Sequence, residues 1–274
     1  VPLFVEELTK TVLESGAVEE GEESWRLTGP FSGVAIPTTL HDSLMARLDR
    51  LAPVKEVAQI GACIGREFPH ELIAALSPLA DNELRDALVQ LCDSELIFRR
   101  GTAPEASYTF KHALVQDAAY QSLLKSRRQT YHARIAMLLE ERFSDTVENE
   151  PEILAHHFSE AGESEQATDY WLRAGRRAAA RVAYWEAAAH LRRGLDLVGD
   201  AWRHDDAWRR KALALQVALG PALIATEGYL AAETERCYVQ ARALCESLDD
   251  PAELFPVLYG LWVIHFIRAE LDET

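Results

Sequence analysis

His156 and His157 stand one helical turn from Glu152 and Glu160. That spacing puts imidazole and carboxylate on one helix face, so it is the first place to look for a metal. A zinc site needs three or four convergent ligands, and no distant third ligand has a supporting pattern. The pair therefore reads as structural, one ring buried and one exposed. His41, His112 and His132 read the same way, and Lys111-His112 reads as a packing and hydrogen-bonding element. The cysteines Cys63, Cys92, Cys237 and Cys245 each lie in an apolar helical context, and none forms a Cys-x-x-Cys pair. Free buried thiols in a reducing compartment are expected, with neither disulfide nor zinc. No Ser, His and acid, or Cys and His, spacing suggests a nucleophile. The chain has no Gly-x-x-x-x-Gly-Lys-[Ser/Thr] loop and no acidic strand end for Mg²⁺. No catalytic, cofactor-binding or metal-binding residue is assigned.

Binding is the remaining chemistry. Arg173, Arg176, Arg177, Arg181, Arg192 and Arg193 cluster in one stretch, which reads either as a solvated helix face or as a dock for an acidic partner. The same stretch, 167–198, carries Trp171, Ala174, Gly175, Ala178, Ala187, Leu191 and Gly194 at the spacing of a tetratricopeptide repeat. Two amphipathic helices meet near Arg181 to Tyr184, with small residues where helices touch. Trp171, Tyr184 and Trp185 fall at helix-contact spacing, so core packing is expected of them. In such repeats the first helix lines the concave side. That points Asp169, Leu172, Arg173 and Arg176 towards a protein or small-molecule inducer. A repeat cannot bury its apolar face alone and needs stacked neighbours. Leu219-Gly220 and Leu223, then Tyr238, Ala241 and Leu244, match a second pair after 200–210, with an insertion around 226–231. Leu258-Tyr-Gly-Leu-Trp matches the first helix of a third.

Before the repeats, Leu3, Phe4, Leu8, Val12 and Leu13 predict a helix, and Trp25-Arg-Leu a short strand. Thr38 or Thr39 can cap a helix with Leu40, Leu44, Leu48 and Leu51 inside and Arg47 and Arg50 on its polar side. Pro53 opens a second helix. A short one follows over 72–76, then one from Asp81 or Asn82 as cap. Leu96-Ile-Phe-Arg-Arg and Ser107-Tyr-Thr-Phe-Lys flank a turn and predict one hairpin. Helices followed by a hairpin make the order of a winged helix. Its last core helix, from Asp81 to Glu95, carries five acids and the single Arg85. Phosphate would repel it, so no direct nucleic-acid contact is expected. From His112 the pattern is helical again, with a short helix from Asn149 that ends near Gly162. The chain of 274 residues holds 44 acidic against 28 basic residues, a net charge of −16. That charge opposes generic attraction to DNA or anionic lipid, and no run of apolar residues is long enough for a membrane span. A cytoplasmic protein is expected.

Three local patterns together resemble the signal-transduction ATPases with numerous domains. Pro2-Leu-Phe-Val-Glu-Glu-Leu resembles the end of their ATPase lid, with Val1 where the family has Asn. Ile36-Pro-Thr-Thr-Leu-His-Asp-Ser-Leu-Met-Ala-Arg-Leu-Asp-Arg-Leu resembles the start of the following winged helix. Tyr108-Thr-Phe-Lys-His-Ala-Leu-Val-Gln-Asp-Ala-Ala-Tyr resembles its wing and exit helix. The resemblance implies a mainly α chain: a lid end and linker over 1–35, a winged-helix domain over 36–112, a helical connector over 113–162, and a tetratricopeptide-like superhelix over 163–274. It further implies a non-catalytic segment coupling a separate ATPase core, which holds ATP and Mg²⁺, to sensing by the repeats. Both ends read as cut from a longer protein. Its output is expected to be a class III adenylyl or guanylyl cyclase upstream. The alternative is a transcription regulator with a DNA-binding domain downstream.

Overall fold

The computed structural model describes residues 18–20, 25–27, 40–248 and 251–268, and Thr9. Apart from Thr9, the expected helix over 3–15, the lid resemblance at 2–8 and the caps at 38 and 39 lie outside these residues. Two compact units divide at Tyr131 and His132. The protein is mainly helical.

The first unit opens with a two-stranded antiparallel pair, β1 (Val18–Glu20) and β2 (Trp25–Leu27). Helices α1 (Leu40–Arg50), α2 (Ala52–Ile64), α3 (His70–Leu76), α4 (Asp81–Asp93) and α5 (Ala113–Gln121) follow. Helix α2 is central and packs on α1, α3, α4 and α5. Its Val54, Val57 and Ile60 are buried, together with Leu44 and Leu48 of α1 and Leu84, Leu88 and Leu91 of α4. Proline at the start of α2 sacrifices no helical hydrogen bond.

The sequence pattern misplaces three features here. Arg47, expected on the polar side of α1, is buried. Its guanidinium donates to the Ser94 carbonyl just after α4, which satisfies a charge that the interior would otherwise reject. Neither Asp81 nor Asn82 caps α4 through its side chain. The Ala80 N–H donates instead to Glu83 Oε2 at 3.1 Å. Finally, the single expected hairpin is a three-stranded sheet. Strands β4 (Ile97–Arg100) and β5 (Ser107–Phe110) pair with Ile97 opposite Phe110, and β3 (Glu67–Pro69) adds to the other side of β5. Pro69 is tolerated because β3 is an edge strand. Phe68 of β3 is fully buried against Tyr108 and Phe110, with ring centroids 5.6 Å away in both cases.

Helix α6 (Lys125–Arg142) follows. The expected connector over 113–162 is thus divided: α5 packs on α2 in the first unit, and the helices after α6 belong to the second. Those are α7 (Ser144–Asn149), α8 (Pro151–Ala161), α9 (Ser164–Ala180), α10 (Tyr184–Val198), α11 (Asp206–Glu227), α12 (Ala232–Leu248) and α13 (Pro251–Arg268). Gly162, in the left-handed region, ends α8 as its spacing predicts. A 3₁₀ turn over Ala201–Arg203 precedes α11. Helix α11 begins inside the expected linker because Asp205 caps it, accepting from the Ala207 N–H at 2.7 Å.

Each helix from α8 to α13 packs on the next, and α9 also packs on α11 and α11 on α13. Close approach is possible because glycines stand at the crossings. A Cβ on Gly175 would strike Leu191, and one on Gly194 would lie 2.7 Å from Leu215. Tyr238 is buried between Gly220 and Gly260, and a Cβ on Gly220 would lie 2.6 Å from its ring. Gly220→Ala should therefore lower stability by about 1–3 kcal/mol in urea denaturation, although alanine is the better helix former by about 1 kcal/mol. The loss should shrink when Tyr238→Leu is added; an equal loss in both backgrounds would contradict the contact.

Candidate functional site

Helix α9 is amphipathic, and its outer face carries the four residues that repeat spacing points towards a partner. Asp169 is exposed, and it is matched within the protein by an ion pair with Lys211 of α11. Glu165, one turn earlier, lies 3.8 Å from the same ammonium. Leu172 is half-buried and packs against the core of the second unit. Arg173 turns the other way: its guanidinium lies 4.8 Å above the Tyr170 ring and donates to the Val147 carbonyl at 3.4 Å. Arg176 is exposed. The structure thus sets Asp169 beside Lys211 of α11, holds Leu172 partly in the core, leaves Arg176 exposed and draws Arg173 towards α7.

Most of the basic cluster is engaged internally. Arg177 donates to Asn149 Oδ1 at 2.9 Å, and Arg181 lies 3.3 Å from Glu186. Arg192 bridges Glu227 at 2.5 Å and Glu233 at 2.7 Å, which ties α10 to the end of α11 and the start of α12. Its guanidinium holds the Glu233 carboxyl below the usual range. Arg193 lies 4.9 Å over the Trp171 ring.

Trp171 is buried, donates to Ser159 Oγ at 3.0 Å, and stacks on His190 with centroids 5.3 Å apart. Tyr184 is half-buried against the same core. Trp185 departs from expectation: 69% exposed, it does not pack in the core. Tyr184 shares its face with buried Ala187 and Leu191, three and seven residues on, whereas Trp185 lies about 100° round the helix from it.

The histidines of α8 form a cluster with α6. His157 is buried and His156 exposed. His157 Nδ1 lies 2.8 Å from Nδ1 of buried His132. One ring must donate and the other accept, so the contact requires a neutral imidazole. Among the described residues no group of three or more His, Cys, Asp or Glu could hold a metal ion. The Cys63 and Cys237 thiols are pushed up to about 12 by burial, which leaves them protonated.

In the first unit, the outer face of α4 presents Asp81, Glu83, Asp86 and Asp93 beside Arg85. On the sheet, Arg99 and Arg100 are exposed, while Lys111 pairs with Glu95 at 2.8 Å. Among the described residues no helix is long and apolar enough to cross a membrane.

The chain is 30% identical over 266 residues, 96% of its length, to an uncharacterized protein of Rhizobium meliloti (strain 1021). It spans 25% of that relative's length. No protein-family model and no solved structure matches the chain.

Sequence reasoning missed Lys211, which lies 42 residues from Asp169 and carries no local signal of the pairing. It also missed a cavity between α10, α11 and α12, whose walls come from separate helices.

The His132–His157 contact has a consequence for pH. Burial first, then neighbouring His132 and His156, holds the His157 pKa well below its ordinary value of 6.5. The unfolded chain therefore takes up a proton that the folded one refuses, and stability falls as pH drops below about 6.5. Urea unfolding between pH 7.5 and 5 should show a loss approaching about 1.4 kcal/mol per pH unit from this group. The loss should flatten in His157→Phe; an unchanged slope would contradict the assignment.

Proposed function

We propose that this chain is a non-catalytic regulatory and sensor segment of a multidomain signalling ATPase. The helices and sheet of the first unit form its winged-helix domain, and α9 to α13 form tetratricopeptide-like repeats. The observation that carries the reading is the set of glycine crossings in successive helices. Gly175 against Leu191 and Gly194 against Leu215 fall where repeat spacing requires small residues. The contacts between α9 and α11, and between α11 and α13, fit first helices lying side by side along a superhelix.

In this reading the face holding Asp169, Leu172 and Arg176 meets an inducer or protein partner, and the winged helix packs within the parent protein. The acidic outer face of α4 supports that role over groove reading, because phosphate repels carboxylates. The residues of this chain do not fit ATP and Mg²⁺, since the sequence contains no phosphate-cradling glycine loop. The nucleotide core belongs elsewhere in the parent. The Rhizobium relative, of which this chain spans 25%, has room for an ATPase core and an output domain, and the resemblance favours a nucleotide cyclase as that output.

Calorimetric titration of this chain with ATP and Mg²⁺ should give no saturable heat. Stoichiometric binding in the micromolar range would contradict the assignment of the nucleotide core to another part of the protein.

A further inference from the structure

Between α10 and α12 the second unit forms a half-open cavity of about 690 Å³. Where α9 packs directly on α11, the facing stretches of α10 and α12 leave space between them. Leu195 and Val198 of α10 form one wall and Ala243 and Leu244 of α12 the other. Trp202, on the 3₁₀ turn, stands at the edge, and α11 supplies the floor through Ala212 and Gln216. The volume lies within the roughly 300–1,000 Å³ of small-molecule sites.

Two features define what the cavity would take. The first is Gln216, only 8% exposed. Its Nε2 donates to Gln240 Oε1 at 2.8 Å, but its Oε1 accepts no hydrogen bond among the described residues. A buried carbonyl oxygen without a donor is a costly arrangement, and Gln216 lines the cavity among mostly apolar neighbours. The second is charge. Arg209 pairs with Asp206 and donates to the Arg203 carbonyl at 2.9 Å. Arg203 lies 3.2 Å from Asp200, with its guanidinium 5.5 Å over the Trp202 ring. Both cations at the mouth are matched by acids, so nothing there selects an anion.

We propose that this cavity is a binding site for an uncharged, predominantly apolar small molecule carrying one N–H or O–H donor for Gln216 Oε1. The apolar body lies between the α10 and α12 walls and under Trp202. The inference goes beyond the sensor reading and does not depend on it: nucleotide titration reports on the ATPase core, and the experiment below reports on the cavity alone.

N-phenyl-1-naphthylamine is a suitable probe: neutral, apolar and equipped with one N–H. Added to this chain, it should show a saturable, one-to-one rise in fluorescence with quenching of tryptophan emission. Ala243→Trp fills the cavity from an exposed position on α12 and should abolish the saturable rise while the thermal midpoint holds. Ser247→Trp, one turn further along the same face, is an independent block with the same expected result. Gln216→Leu should weaken the probe about tenfold, the loss of one hydrogen bond. Its midpoint should hold or rise, because an unpartnered buried oxygen is removed. Absence of saturable binding to the unaltered chain would overturn the proposal. So would binding that survives whichever tryptophan variant folds.

Discussion

The second unit depends on side chains seated against glycines. Tyr238 of α12 is held between Gly220 of α11 and Gly260 of α13, and Leu191 and Leu215 meet Gly175 and Gly194 in the same manner. At each crossing the side chain of one helix fills the space that a Cβ on the other would occupy. Each also fixes which turn of one helix meets which turn of the next, because only the turn with glycine has room. The result is a series of helices that bury their apolar faces chiefly against sequence neighbours, the arrangement in which stability is a sum of local and nearest-neighbour terms.

That constraint explains what the sequence made legible. Glycines, alanines and leucines at helical spacing mark the crossings directly, so the α9–α10 turn and the Gly162 stop could be read without coordinates. The two longer strands were legible as β-like runs on either side of a turn-rich stretch. Features that depend on distant partners were not. Arg47 follows the polar pattern of its own helix and becomes buried only because the Ser94 carbonyl arrives from 47 residues away. Strand β3 is three residues including a proline, too short for alternation to register. Trp185 shows the limit of spacing as evidence, since one residue's step of about 100° around a helix decides between core and solvent.

The same division governs function. The residues marked by repeat spacing form a polar face whose charges are largely matched within the protein, through Lys211 on Asp169 and acids around Arg181 and Arg192. The cavity lies between α10 and α12 with α11 as its floor, and Gln216 looks in sequence like any polar position within a long helix. The second unit thus offers two chemically distinct surfaces: a solvated, charged face and a largely apolar cavity.

Hydrogen exchange by mass spectrometry tests the nearest-neighbour architecture most directly, with Gly220→Ala compared against the unaltered chain under native conditions. Protection should fall in α11, α12 and α13, where Tyr238 is displaced, and remain unchanged in α8 and α9. Uniform loss of protection across the whole unit would contradict a stack built from neighbour contacts.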